Sequence, residues 1–240
     1  LYAGALDHRP LSPVTVLVFA DEETYVSFAS THYGVDARKL WGFYLRGSRR
    51  VMAVHGETGL DTLSHELIHP LLQADYGAGS GGSRIPEWAD ECIAAYYEAP
   101  LFPADGSIHG QPTNWRQPTL RAALRSSDPP RLESFFGMSD DAFEGKARPY
   151  PDMNVDADVA RPIELLHYAA VRSFCAWMDA QGGGAGGQHP HGGQGKLWPW
   201  YRAWRDGART DPTGERAFAA VMGQTPAQAT EAWRRWANRD

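Results

Sequence analysis

The sequence lacks the features that mark nucleic-acid-binding and membrane-spanning proteins. Its 23 Lys and Arg are outnumbered by 29 Asp and Glu, which gives a formal net charge of −6. Because binding to a phosphate backbone needs a surface rich in positive charge, we expect no nucleic-acid partner. The longest apolar run, residues 14–20, is far shorter than the roughly 20 residues that cross a bilayer, so no transmembrane segment is predicted.

Cysteine is scarce as well, with Cys92 and Cys175 as its two representatives. Hydrophobic residues, in contrast, make up 42% of the chain and include nine Trp, ten Tyr and nine Phe. A chain of this length buries about 70–75% of its unfolded surface, so we expect an ordered fold that needs no disulfide. The two cysteines can form one bridge or stay as two buried thiols. We prefer two thiols, because unpaired cysteine is common in protein cores.

Hydrophobic periodicity and capping residues divide the chain into a mixed front half and a helical back half. Strand patterns lie at residues 13–20, 40–46 and 50–55, with a turn at 47–49. Helix patterns lie at residues 21–32, 58–77, 85–100, 119–126 and 162–181, and two or three more helices lie between 196 and 240. Asp21, followed by two glutamates, is the expected N-cap of the first of these helices, and Thr58 opens a capping pattern at the second. Residues 77–83 are predicted to form a flexible glycine-rich loop, and residues 100–118 an ordered loop.

These patterns predict one α+β domain that spans residues 1–240. A front lobe with a small sheet is expected at about residues 1–100 and a mainly helical lobe at about residues 119–240. A glycine-rich loop, residues 181–195, interrupts the helical lobe. Its His189 and His191 are interpreted as part of a solvated linker, with metal binding as the alternative.

A metal-binding pattern, H-E-x-x-H, lies in the second predicted helix as His65-Glu66-Leu67-Ile68-His69. Residues i and i+4 of a helix share one face, so both imidazoles can reach a single ion. Glu66 lies about 100° round the helix from His65, where it can hold a water molecule without binding the metal. The alternative is a pair of histidines that have this spacing by chance.

The same helix must bury its other side. Four leucines recur at helical spacing opposite the two histidines and are predicted to face the core. They are Leu60, Leu63, Leu67 and Leu71. Pro70 follows His69 directly, and since proline removes a helix hydrogen bond at a cost of about 3 kcal/mol, the helix is expected to bend there.

A catalytic zinc ion usually has three protein ligands, and the next predicted helix offers a third in Glu91. The pairing of H-E-x-x-H with Trp88-x-x-Glu91-x-x-Ala94-x-Tyr96 resembles the gluzincins, zinc peptidases with two His and one Glu as ligands. The resemblance implies Zn²⁺ on His65, His69 and Glu91, with Glu66 as general base. Glu87, one turn before Glu91, remains the alternative ligand. Glu98, nearly two turns after Glu91, also competes for this role, whereas Asp90 is expected to point about 100° away.

The chain as a whole resembles a bacterial branch of this group, the peptidase MA-like proteins. The similarity includes the strand at residues 14–20 followed by Asp-Glu-Glu-Thr, Leu132-x-x-Phe135, and the late segment 217–225 with Trp233. It implies a zincin-like fold and an exported, periplasmic or extracellular, protein. Because the chain begins at Leu1 and not at Met, we expect a processed fragment in which an export signal would not be visible.

Two residues depart from the family pattern. Cys92 stands where the pattern has Gly, and it is interpreted as a small buried thiol, with a fourth, inhibitory metal ligand as the alternative. Ala95 stands where thermolysin-type enzymes have Asp, so the sequence does not identify the group that orients His65.

The resemblance also implies a hydrogen-bond donor for the oxyanion, supplied by the helical lobe. Tyr168 is the candidate and His167 the reserve; the alternative is that Tyr168 is a core aromatic residue whose hydroxyl is satisfied locally. The expected function is zinc-dependent peptide-bond hydrolysis of the endopeptidase type, with a peptide or protein substrate. The alternative is a catalytically silent zinc-containing module that binds a peptide or a glycan.

Overall fold

The computed structural model describes residues 5–38, 40–46, 50–54, 59–101, 104, 109–146, 157–181 and 195–239. The α-helices within these ranges are α1 (Glu22–Tyr33), α2 (Gly59–Gly79), α3 (Glu87–Tyr97), α4 (Gln117–Leu124), α5 (Asp140–Phe143), α6 (Ala157–Asp179), α7 (Leu197–Gly207), α8 (Glu215–Met222) and α9 (Pro226–Ala237). The strands are β1 (Thr15–Phe19), β2 (Gly42–Leu45), β3 (Arg50–Val54), β4 (Pro100–Leu101) and β5 (His109–Gly110). None of the described helices combines the length and the apolar character needed to cross a membrane.

The three front strands form a small mixed sheet in the order β1-β3-β2. β3 pairs in parallel with β1 and antiparallel with β2. Asp21 caps α1 as predicted, because its side chain accepts a hydrogen bond from the backbone N–H of Thr24. The helix packs on the sheet through a small cluster whose fully buried members are Tyr25, Ala29 and Ala37.

The larger core is helical and encloses α3. Every residue of α3 from Trp88 to Tyr97 is buried, and α3 packs between α2 and α6. The ring of Trp88 stacks on that of Trp204, with 5.6 Å between centroids and 19° between planes. Tyr96 donates a hydrogen bond of 2.7 Å to Asp179 in α6. The described chain is therefore mostly helical with a few short strands, in agreement with the predicted α+β class.

The prediction of two free thiols is wrong. Cys92 of α3 and Cys175 of α6 form a disulfide between helices that are distant in the sequence, with 83 residues of separation. Both side chains are buried. Packing of α3 on α6 brings the two Cα atoms to 5.8 Å, a distance typical of a bridge. The bridge also removes Cys92 as a candidate metal ligand, because its sulfur is not a free thiolate.

The predicted core stripe of α2 is also wrong in part. Leu60 is 65% exposed, and Leu63, Leu67 and Leu71 are half-buried. The fully buried apolar side chains of α2 lie one position further along, at Ile68, Leu72 and Tyr76. The reason is that α2 packs on two partners, the sheet on one side and α3 on another, so no single leucine stripe defines its buried face.

Several predicted boundaries shift. α2 runs without interruption through Pro70 and two residues past Gly77, so the first part of the predicted flexible loop is helical. The loop predicted at residues 100–118 contains β4 and β5, which pair antiparallel. α5 was not predicted. The turn at 47–49, the cap at Thr58 and the glycine-rich segment 182–194 with its two histidines lie outside the described residues.

A buried carboxylate joins the amino-terminal segment to α2 and α7. Asp75 of α2 is fully buried. Its Oδ1 accepts hydrogen bonds of 2.7 Å from the backbone N–H groups of Asp7 and His8. Its Oδ2 accepts hydrogen bonds from Tyr201 at 2.9 Å and Arg205 at 2.7 Å. Although burial raises the pKa of Asp75, these donors outweigh it and hold the pKa below its usual value.

Candidate metal centre

Two helices bring the predicted metal ligands together. α2 presents His65 and His69 one turn apart, with 5.1 Å between their ring centroids. α3 packs against α2 and directs Glu91 between the two rings. The Glu91 carboxylate lies 3.1 Å from His65 Nε2 and 3.7 Å from His69 Nε2.

These distances fit the ligands of one metal ion. Atoms bound about 2.1 Å from a tetrahedral ion lie about 3.4 Å from each other, between the two values found here. All three side chains are mostly buried, with His69 7% and Glu91 5% exposed. Two imidazole nitrogens and one carboxylate form a donor set that suits Zn²⁺.

Glu66 lies beside this set. His65, Glu66 and His69 form a cluster whose possible ligand atoms lie within 4.8 Å of one another. Glu66, however, is 4.0 Å from His69 Nε2, while Glu91 reaches both imidazoles at shorter range. We therefore take Glu91 as the better third ligand and Glu66 as the neighbour that is free to bind water.

The polar atoms at the centre require a cation or a proton between them. Glu91 Oε2 is buried and has no assigned hydrogen-bond partner among the described residues, although it lies 3.1 Å from His65 Nε2. Burial lowers the pKa of the two imidazoles. The facing carboxylates, Glu91 for His65 and Asp90 for His69, outweigh it and raise the pKa values to about 10 and about 9. The carboxylates thus favour positive charge between these atoms, either as protons or as a metal ion.

The carboxylates themselves have opposite pKa shifts. Burial raises the pKa of Glu91, but His69 and His65 outweigh burial and lower it to about 2. For Glu66, burial prevails over the two imidazoles, and its pKa is raised from the usual value. Glu91 is therefore suited to remain a charged ligand, whereas Glu66 is suited to accept and release a proton.

A second carboxylate faces the outer nitrogen of His69. Asp90 Oδ1 lies 3.2 Å from His69 Nδ1. Asp90 is 1% exposed, and its Oδ2 accepts a hydrogen bond of 3.1 Å from Gln73. A carboxylate on this side favours a proton on Nδ1 and leaves the lone pair of Nε2 for a metal. Sequence reasoning had placed Asp90 away from the ligands and had given it no role.

Glu98 occupies the matching position at His65. Its Oε2 lies 3.7 Å from His65 Nδ1 and accepts a hydrogen bond of 2.9 Å from Arg116. Its Oε1 accepts one of 2.7 Å from the indole N–H of Trp115. Burial raises the pKa of Glu98, but His65 and Arg116 lower it to about 2. Glu98 lies seven residues after Glu91, at the carboxy-terminal cap of α3, and therefore on the same side of the helix. It is the group facing the outer nitrogen of His65 that the sequence did not identify.

Glu87, the alternative ligand, has other partners. Its Oε2 lies 3.1 Å from Arg46 and 2.8 Å from Arg84. Its backbone N–H donates to Asp140 at 3.2 Å. Glu87 thus contributes to ion pairs of α3 and not to the ligand set.

Tyr168 of α6 lies near the acidic side chains of the centre. The guanidinium of Arg116 lies 5.1 Å from its ring centroid, and Phe143 packs on the ring at 5.3 Å. Burial, with a smaller effect of Glu91, raises the pKa of Tyr168 well above its usual value, so the hydroxyl keeps its proton and can donate. His167 is directed elsewhere, since its Nδ1 lies 2.7 Å from the carbonyl oxygen of Phe143.

Comparison of the chain with protein families, with curated proteins and with solved structures gives no match.

Proposed function

We propose that this protein is a zinc-dependent peptidase of the endopeptidase type with a zincin-like fold. The observation that carries the proposal is the convergence of His65, His69 and Glu91 on one point, with Glu66 beside them. The buried lone pairs at this point, and the carboxylates behind both imidazoles, support a divalent cation. When bound there, zinc would supply Lewis-acid polarisation of the peptide carbonyl.

Glu66 is the proposed general base. Its buried carboxylate, whose pKa is raised, accepts a proton from the attacking water as the oxygen adds to the carbonyl carbon. It then passes this proton to the nitrogen as the C–N bond breaks, so that an acid and an amine leave. Glu66 is buried, with 8% of its surface exposed, which limits its access to bulk water and strengthens the electrostatic effects.

Tyr168 is the proposed donor to the carbonyl oxygen as negative charge develops there. Its hydroxyl keeps its proton at neutral pH, and the effect of Glu91 on its pKa supports a position near the proposed ligand. Arg116, stacked on the ring, keeps the aromatic plane in place.

The experiment combines metal analysis with an assay of Glu66→Gln. Purified wild type is expected to hold one zinc per chain and to cleave a mixed peptide library, with fragments identified by mass spectrometry. Glu66→Gln is expected to retain zinc and to lose at least about 100-fold in kcat/KM, since a general base contributes about 10²–10⁴-fold. Glu87→Gln, on the same helix pair but bound to arginines, is the matched control and should behave as wild type.

Three results would contradict the proposal. Wild type that holds no zinc lacks the centre altogether. Cleavage that is equal in wild type and Glu66→Gln places the activity elsewhere. Stoichiometric zinc without any Glu66-dependent cleavage would instead identify a silent module that binds peptide or glycan.

We further propose that the protein works in an oxidising compartment after export. The support is the buried Cys92–Cys175 bridge, because such bridges persist outside the reducing cytosol. The purified protein, unfolded in denaturant without a reducing agent, should show no free thiol on alkylation. Alkylation of both cysteines would contradict the proposal.

A further inference from the structure

Two exposed tryptophans form a surface beside the metal centre. Trp41, just before β2, is 58% exposed, and Trp115, just before α4, is 51% exposed. Their ring centroids are 6.0 Å apart, and the ring planes are inclined by 55°. We call this pair the tryptophan corner. Large aromatic side chains that remain in water at adjacent positions are typical of binding surfaces.

The tryptophan corner adjoins the proposed ligand His65. The indole N–H of Trp115 donates to Glu98, and the other oxygen of Glu98 lies 3.7 Å from His65 Nδ1. One residue of an extended peptide spans about 3.3 Å. A peptide bond held at the metal centre therefore places side chains a few residues away within reach of the corner.

The Trp115 side of the corner is held in place. The guanidinium of Arg116 lies 4.1 Å from the ring centroid of Trp115 and covers one face of it. The preceding segment is fixed because Arg172 donates to the carbonyl oxygens of Gln111 and Pro112. A surface that is ordered before binding loses less entropy when a ligand binds.

The chemistry of the corner favours an apolar side chain as its occupant. A flat pair of coplanar rings would suit the extended face of a sugar chain, whereas rings inclined by 55° enclose a wedge for one compact group. The indole N–H of Trp115 is already bound to Glu98, so it is not available to a sugar hydroxyl. We propose that the tryptophan corner binds an aromatic or large aliphatic side chain of the peptide substrate, within a few residues of the cleaved bond. This inference rests on the proposed function.

The test measures binding and not cleavage. Glu66→Gln is loaded with zinc, and short blocked peptides of Ala, Gly and terminal Lys are titrated into it by calorimetry. A single Phe is moved through the peptide, one position at a time. At the best position Phe is expected to tighten binding about tenfold over the parent peptide, which corresponds to the burial of one aromatic side chain.

Trp41→Ala is the decisive variant, because it removes one ring of the corner. A change of Trp115 would also remove the hydrogen bond that its indole N–H donates to Glu98. In the Glu66→Gln background it should abolish the tenfold preference for Phe and leave the affinity for the parent peptide unchanged. Leu11→Ala, which shortens an apolar side chain that is 96% exposed, is the control and should keep the preference. Trp115→Phe should keep most of the preference for Phe, since an aromatic ring remains at that position.

The inference is overturned if Trp41→Ala keeps the full Phe preference, if Phe gives no preference at any position, or if a β-linked oligosaccharide binds more tightly than every peptide. A fall in the affinity for all peptides alike would also overturn it, because that result indicates a structural role. The proposed function fails separately, when wild type cleaves no peptide.

Discussion

The helical core and the front sheet differ in how completely they are buried. In α3 all residues from Trp88 to Tyr97 are buried, and a disulfide joins the helix to α6. In β1, Val16 is 38% and Val18 is 51% exposed, and the sheet has a small core of its own. The comparison teaches that Glu91 and Asp90 stand on the most completely buried helix, α3, whereas Glu66 lies on α2 with the histidines.

The histidines stand between these two regions. α2 packs on β2 and β3 on one side and on α3 on the other, and it carries His65 and His69. The positions of Glu91 and Asp90 are therefore set by the core, while those of the two imidazoles and of Glu66 also depend on the sheet. The predictions below test this division.

Removal of the disulfide has the largest expected effect. A bridge that closes a loop of 83 residues raises the free energy of the unfolded chain by about 4.5 kcal/mol, because it restricts its conformations. The double variant Cys92→Ala/Cys175→Ala should lose about this much free energy of unfolding in urea denaturation. Val18→Ala, on the exposed side of β1, should change it by no more than about 0.5 kcal/mol. Similar losses in the two variants would contradict the contrast between core and sheet.

The carboxylates behind the imidazoles give the next largest effect. Asp90→Asn and Glu98→Gln keep the shape of each side chain but remove the charge that orients His69 or His65. Each should weaken zinc binding by about 10–100-fold in a competition assay with a chelating dye. The loss should be greater for Asp90→Asn, whose contact is shorter and more buried. Glu87→Gln should bind zinc as wild type does, and an equal loss there would show that any charge on α3 has this effect.

The pH dependence of stability tests the α2–α3 boundary without a substitution. In the presence of a chelator, the pKa values of His65 and His69 are raised from 6.5 to about 10 and about 9 by the carboxylates that face them, against the effect of burial. Imidazoles with a raised pKa stabilise the fold fully below the unfolded value of about 6.5, and this contribution is lost as the pH rises through the folded values. The free energy of unfolding should therefore fall from about pH 7 to about pH 10.

Zinc should reverse this trend, because it requires neutral imidazoles and replaces their protons. Urea denaturation with zinc should show a stabilisation over the chelated protein that grows above about pH 6. A stability that is independent of pH in the chelator, or zinc that stays bound at about pH 4, would contradict the assigned protonation.

Local signals in the sequence were sufficient for the elements whose ends depend on neighbouring residues. Asp21 with two following glutamates predicted the start of α1, and the structure confirms the cap. The spacing of His65 and His69 fixes their common face because helix geometry alone determines it. Trp88 and Tyr96, on either side of Glu91, both anchor α3 in the core. The role of Glu91 as a metal ligand, which they favoured, stays a prediction.

Features that depend on tertiary contact could not be predicted in this way. The Cys92–Cys175 bridge requires knowledge that α3 packs on α6. The leucine stripe failed because α2 has two packing partners and not one. Asp90 and Glu98 were seen as competing ligands or bystanders, since their role depends on which imidazole nitrogen each one faces.

The buried carboxylate of Asp75 has a practical consequence for anyone who handles the protein. It lies less than two turns after His69 on α2, and two of its hydrogen-bond donors are backbone groups of residues 7 and 8. An affinity tag that strains this segment, or a protease that trims it, would leave a buried anion short of partners. The segment at residues 7 and 8 therefore helps to hold the helix that carries the histidines, and its loss would be felt in that helix.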